Sequence, residues 1–247
     1  GQGSPGGESP WGSPESETGR PLPPRRAMSS SARSHNQRGL QAAAAGNGSQ
    51  AATEFRQALS ADSNASKAAY NLGVLADRSG DETGALREYK RALDVLPDYA
   101  PAARGIATIS LRRGKAQGAL AVVEPIANQY RNNLDIAALY AELLVEVRRF
   151  DEAWMAARRA LKCDERFVPA LIALIKVSQA QGRDELADSI LEQALEVDPE
   201  AAELHFLEGE RIKAEPGRLR DAMAAYERAI ELRPNYAEAR MALGIQL

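Results

Sequence analysis

This chain has little of what most enzymatic or metal chemistry needs. Its 247 residues include one cysteine, Cys163, and two histidines, His35 and His205, far apart in sequence. A lone thiol excludes an internal disulfide framework. No H-E-x-x-H, C-x-x-C, Walker or G-x-S-x-G pattern occurs, so no catalysis, cofactor or metal is expected. Long apolar runs are also missing. Val168 to Ile175 is the longest, Pro169 interrupts it, and a membrane span needs about 20 apolar residues. The net charge of −3 and pI near 5.6 argue against a nucleic-acid partner held by bulk charge. Lysine is scarce: Lys67, Lys90, Lys115, Lys162, Lys176 and Lys213 stand among 31 basic residues. With abundant alanine, that bias suits a GC-rich bacterial genome.

Proline and glycine are present but unevenly spread. Residues 1–27 hold six of the 13 prolines and six of the 19 glycines, with Trp11 and Leu22 nearly their only apolar side chains. Such a stretch cannot bury enough surface to offset its ordering entropy, so residues 1–31 are read as a disordered linker. Gly1-Gln2-Gly3-Ser4-Pro5-Gly6 matches G-x-G-x-x-G in form only, since no strand precedes it and Pro5 sits inside it. Pro21-Leu22-Pro23-Pro24-Arg25-Arg26 has the P-x-x-P-x-R form that docks aromatic-lined grooves, and suits a stiff spacer equally well. No signal peptide or twin-arginine core is visible, and Met28 is a candidate internal start.

What the rest of the chain does have is a recurring set of small residues. In Ser66–Tyr99 these are Gly73, Ala85 and Ala92, which let two helices approach closely, while Tyr89 fills the space between them. Ser79-Gly80-Asp81 breaks the first helix, and Pro97 follows the second. The product is an antiparallel helix pair with one apolar face left for a neighbour. One unit earlier, Ala32–Ala65 places Gly39, Ala51, Phe55 and Ala58 in register. Later, Ala100–Asn133 keeps Ile106, Ala119 and Val123, Leu134–Phe167 keeps Ala141, Ala153 and Ala160, and Val168–Ala201 keeps Ala187, Ala194 and Pro199. Ala202–Tyr236 runs one residue long, with Gly209 early and then Ala222, Tyr226, Ala229 and Pro234; a partial unit begins at Ala237.

This series resembles the tetratricopeptide repeat, a 34-residue helix–turn–helix unit. The resemblance implies an all-α fold over residues 32–247, a right-handed α-solenoid of antiparallel helix pairs, with protein–protein interaction as its role. Within it the irregular points are informative. Repeat one, with Arg38 where Leu72 stands later and a Gly46-Asn47-Gly48 turn, is expected to be a frayed cap. Pro125 is expected to kink or shorten the second helix of repeat three and to change the curvature up to Asn133. Pro216-Gly217 is expected to lengthen the turn of repeat six. Phe150 and Trp154 are expected to pack in the core, and His205 to bond Glu208 at the surface.

In this family the first helices line a concave groove, and the resemblance maps it here to Arg33, Asn36, Lys67, Tyr70, Asp77, Arg78, Arg104, Thr108 and Arg112 in repeats one to three. In repeats four to six it maps to Asp135, Glu142, Glu146, Ile172, Lys176, Gln179, Glu203, Phe206 and Glu210. The first set is net basic and the second net acidic, with Tyr70, Ile172 and Phe206 as apolar anchors. One reading is a groove that recognises a partner segment by complementary charge; the other is a face kept soluble by the same charges. The clamp that holds the carboxylate tails of heat-shock chaperones is missing: Asn71 matches one of its positions, but Asn36, Leu40, Pro101 and Gly105 occupy the others.

About six repeats behind a flexible leader are similar to bacterial envelope proteins that help assemble pili, secretins or gliding-motility complexes. That implies a scaffold on the periplasmic side of an envelope. A cytoplasmic regulatory or sorting module, and a solenoid that self-associates through the edge at Leu243-Gly244, are the alternatives. Reversing Arg78, Arg104 and Arg112 to Glu is expected to abolish partner capture with helicity unchanged, as pull-down and circular dichroism would show.

Overall fold

A computed structural model describes residues 27–244. The expectations for residues 1–26 and for the end of the partial repeat lie outside the described residues. Among those described there are thirteen helices and no strand. They are α1 (Ser30–Ala44), α2 (Gly48–Ala61), α3 (Ser66–Arg78), α4 (Glu82–Val95), α5 (Ala100–Arg112), α6 (Ala116–Gln129), α7 (Leu134–Glu146), α8 (Phe150–Cys163), α9 (Val168–Ala180), α10 (Asp184–Val197), α11 (Ala202–Lys213), α12 (Leu219–Leu232) and α13 (Ala237–Ala242). The fold is all-helical and built from helix pairs. The chain forms two compact units, one up to Tyr140 and one from Ala141, with the division inside α7.

In the first unit α1 packs on α2, α3 on α4 and α5 on α6, while α2–α3 and α4–α5 join successive pairs. The first two pairs close because an aromatic ring on the second helix lies on a glycine of the first. A Cβ on Gly39 would meet Phe55 Cε1 at 2.4 Å, and one on Gly73 would meet Tyr89 Cε1 at 2.5 Å. No real side-chain atom fits there. Ala51, Ala58, Ala85 and Ala92 are fully buried around these rings, as small residues between close helices must be.

Repeat one is not frayed, contrary to expectation. The Ser29 hydroxyl accepts from Ala32 N at 3.2 Å to cap α1, and Ser29 N donates to Asp62 Oδ2 at 2.8 Å, tying the helix start to the end of α2. Asn47 caps α2 by accepting from Gln50 N at 3.1 Å, so the Gly-Asn-Gly turn is specified. Pro125 does not shorten its helix either. α6 runs through it and has 14 residues, as α4 does. Pro125 and Ala121 are both exposed, so water satisfies the Ala121 carbonyl that the proline leaves without a donor. At the next junction Asn133 replaces proline with bonds of its own. Its side-chain nitrogen donates to the Asp98 carbonyl at 2.8 Å and to Asp98 Oδ2 at 3.0 Å, while its oxygen accepts from Ile136 N at 3.1 Å.

In the second unit α8–α9, α9–α10, α10–α11, α11–α12 and α12–α13 are in contact. Gly209 faces Tyr226 as Gly73 faces Tyr89, with a Cβ there 2.5 Å from Tyr226 Cε1. Gly209 is therefore in register with Gly73, and the extra residue of repeat six sits in the turn containing Pro216-Gly217, as expected. Phe150 and Trp154 are half-buried, each beneath a guanidinium: Arg148 at 5.2 Å and Arg183 at 5.0 Å from the ring centroids.

One position recurs in every turn between paired helices. Gly46, Gly80, Gly114, Gly182 and Gly217 all have φ between 67° and 83°, and Arg148 takes the same place at φ 63°. The left-handed conformation costs a residue with a Cβ about 1 kcal/mol or more. Arg148→Gly should therefore raise the second unit's stability by about 1 kcal/mol in urea unfolding. A neutral or destabilising result would mean that the Arg148–Phe150 contact outweighs the backbone strain.

Candidate functional site

In the first unit α3 and α5 are neighbouring first helices and touch. Tyr70, half-buried, lies against Tyr89 with centroids 5.7 Å apart and meets Tyr99 edge-on at 5.6 Å. Beside this cluster Arg112 of α5 donates to Asp77 of α3 at 2.5 Å and reaches Glu82 at 3.4 Å, while Arg113 pairs with Glu82 at 2.7 Å. The bond to Asp77 raises the Arg112 guanidinium pKa further. Arg112 is thus a link between repeats, and Glu in its place would set a third carboxylate beside Asp77 and Glu82. The triple reversal expected to spare the scaffold would not spare it. Lys67, Arg78, Arg104 and Thr108 are exposed on the same two helices. Asn36 is not a groove residue: it is 7% exposed, and its side-chain oxygen accepts from Asn71 Nδ2 at 2.9 Å, joining α1 to α3.

In the second unit Ile172 is 5% exposed and cannot serve as an anchor. Its helix is apolar nearly all round, with Ala170 to Ile175, Val177 and Ser178 all buried, so the groove position is absorbed into the core. Lys176 donates to Glu203 at 2.6 Å, joining α9 to α11. Phe206 is half-buried between Tyr226 at 5.8 Å and Tyr236 at 5.3 Å. Glu210 is exposed yet accepts the Tyr226 hydroxyl hydrogen bond and lies 3.9 Å from Lys213. Glu142 is half-buried and Glu146 exposed.

The two aromatic trios are one design. Tyr70, Tyr89 and Tyr99 hold the same places in repeat two as Phe206, Tyr226 and Tyr236 in repeat six. Sequence reading selected Tyr70 and Phe206 as partner anchors because it took one member of each trio at a time. Reading Tyr99 and Tyr236 as equivalent would have shown each ring already stacked within its own repeat.

Titratable groups gather into ion pairs and caps. His35 Nδ1 lies 2.8 Å from Glu54 Oε2. His205 pairs with Glu208 at 3.5 Å, as expected, and its Nε2 lies 2.8 Å from the Pro199 carbonyl. Among the described residues no group of three or more His, Cys, Asp or Glu side chains is placed to hold a metal. No helix among them is long and apolar enough to cross a membrane.

These features define a helical-hairpin repeat protein whose exposed first helices carry charge. Models of the tetratricopeptide repeat match residues 36–100 and 78–143, and a further TPR repeat model matches 211–245, together more than half of the chain. The chain belongs to the tetratricopeptide repeat family, whose members are generally non-catalytic scaffolds for protein–protein interaction. No curated protein matches it by sequence. Among solved structures, PilW, a widely conserved type IV pilus biogenesis factor, superposes with a TM-score of 0.61 at 17% identity, covering 87% of this chain and 99% of PilW. A tetratricopeptide repeat protein from Parabacteroides merdae gives 0.62 at 16% identity, covering 87% and 85%. Pseudomonas aeruginosa PilF gives 0.57 at 16%, covering 87% and 97%. At such identities the likeness is one of fold.

Burial, reinforced by the Asp77 carboxylate, pushes the Tyr89 hydroxyl up to about 12 from 10.0. Folding therefore favours the protonated phenol, and the stability it lends is complete below pH 10.0 and lost as pH climbs through about 12. Melting temperatures across that window should fall less for Tyr89→Phe than for the parent chain. Identical declines would show that Tyr89 ionises freely in the folded state.

Proposed function

We propose that the chain is a scaffold whose first-helix face in residues 27–140 captures an acidic segment of a partner protein, within a bacterial envelope machine of the pilus-assembly kind. One observation carries this reading. On neighbouring helices α3 and α5, Lys67, Arg78 and Arg104 stand exposed, while Asp77, the carboxylate among them, is taken up by Arg112. With Asp77 and Arg112 offsetting one another, three further cations give the face a net positive field, which draws an acidic segment and orients it along the helices. Thr108 adds an exposed hydroxyl between them. In the second unit, exposed Glu146 and Glu210 give the first helices the opposite sign.

The link to pilus assembly is supported by fold alone, through the likeness to PilW and PilF and the extent to which each is covered. Non-catalytic action agrees with titratable groups engaged in structural pairs.

The test uses Lys67→Glu, Arg78→Glu and Arg104→Glu together, with Arg112 kept because it links repeats. Pull-downs from an envelope fraction, with the parent and triple variant as paired baits, should recover a partner at least about tenfold better with the parent, and less of it as salt rises. Equal recovery by both baits would remove this face from the interaction.

A further inference from the structure

Arg211 of α11 pairs with Asp188 of α10 at 3.5 Å, across the junction between repeats five and six. Between repeats two and three the same two places are held by Leu86 and Ile109, and between repeats four and five by Trp154 and Val177. Ile109 and Val177 are both fully buried. One turn earlier on the first helix stand Leu72, Ile106 and Leu174, all buried, where repeat six has Glu208. A further turn back, buried Ala69, Ala103 and Leu171 give way to His205. Repeat six thus meets repeat five along a polar seam.

Charge does not replace what the apolar side chains supply at the other junctions. Asp188 and Arg211 are both partly open to water, which screens an ion pair. The Arg211 Nε is buried with no hydrogen-bond partner among the described residues, and a stranded donor costs free energy. α11 accordingly approaches α10 over fewer residues than α9 approaches α8 or α3 approaches α2. A second polar tie, Lys176 to Glu203 at 2.6 Å, is also part-exposed.

What lies beyond the seam holds together by itself. Ala202, Ala229, Tyr236 and Ala239 form one buried cluster, Ile212, Ala222 and Tyr226 form another, and Phe206 packs against both. No member of either comes from before Ala202. Of the buried apolar side chains of α11, Leu204 and Leu207 lie outside them.

We propose that residues 202–244 open from α10 as one folded body while α8, α9 and α10 stay packed. Strong internal packing joined to a weak polar seam makes this a cooperative unit of low opening cost. The seam parts at Asp188 and Arg211, where water replaces the ion pair and reaches the stranded Nε, and the turn from Asp198 to Ala201 is the hinge. Glu203, Phe206 and Glu210 travel with the moving body, so the first-helix face of the second unit has two arrangements.

Hydrogen exchange on the full chain, read by mass spectrometry helix by helix, tests this. Amides of α11 and α12 should exchange in concert, at least about tenfold faster than those of α8, α9 and α10. Rates that instead rise step by step toward Gly244 would mean simple end fraying and would overturn the proposal. Asp188→Leu combined with Arg211→Ile, which recreates the pairing of Leu86 and Ile109, should slow the shared rate at least about tenfold and leave exchange within α8 unchanged. Glu203→Gln, which removes the Lys176 ion pair and belongs to neither cluster, should speed it. Exchange in α11 and α12 no faster than in α8, α9 and α10, or a shared rate that neither variant moves, would also overturn the proposal.

Discussion

Three of the helix pairs depend on an aromatic ring lying on a glycine. Phe55 on Gly39, Tyr89 on Gly73 and Tyr226 on Gly209 bring two helices to a distance that a single methyl group would prevent. Once the helices are that close, the alanines around the ring fill the remaining space and polar residues are kept to the outside. A helix pair alone would still leave one face wet, so the same contact that closes a pair obliges it to stack on the next. The exposed charges and the capped turns follow from which side chains stacking leaves over.

What stacking leaves over is smaller than a charge map suggests. Arg112, Lys176 and Asn36 each face a partner in a neighbouring first helix: Asp77, Glu203 and Asn71. The two ion pairs among them, exposed or half-exposed, add little stability each, about 1 kcal/mol or less. Their effect is rather on the register of one pair against the next. Residues spent in this way are withdrawn from recognition, and Lys67, Arg78 and Arg104 stand out as exposed cations on two neighbouring first helices.

The fold was legible because its determinants are local and periodic. Gly73, Ala85, Tyr89, Ala92 and Pro97 carry their meaning in their spacing, and the same spacing in repeat six identifies Ala222, Tyr226, Ala229 and Pro234. The surface was less legible because its determinants are not local. Nothing near Ile172 in the sequence says that its helix is covered on nearly every side, and nothing near Asn133 says that Asp98 is within its reach. Pro125 was misjudged for a different reason: the cost of a proline in a helix depends on whether water reaches the carbonyl it strands, and here it does. Gly46, Gly80 and Gly217 read as helix breaks in the sequence, but their shared left-handed φ, and Arg148 in the same place, show only in the backbone.

The twin aromatic trios bear on how the chain acquires order. In a repeat protein each module gains stability from itself and from its immediate neighbours, so a module in which one ring meets two others is a natural starting point for the rest. One such module, built on Tyr89, lies in the unit up to Tyr140, and the other, built on Tyr226, lies in the unit from Ala141. Each half therefore carries its own seed, and neither has to wait for the other to begin folding.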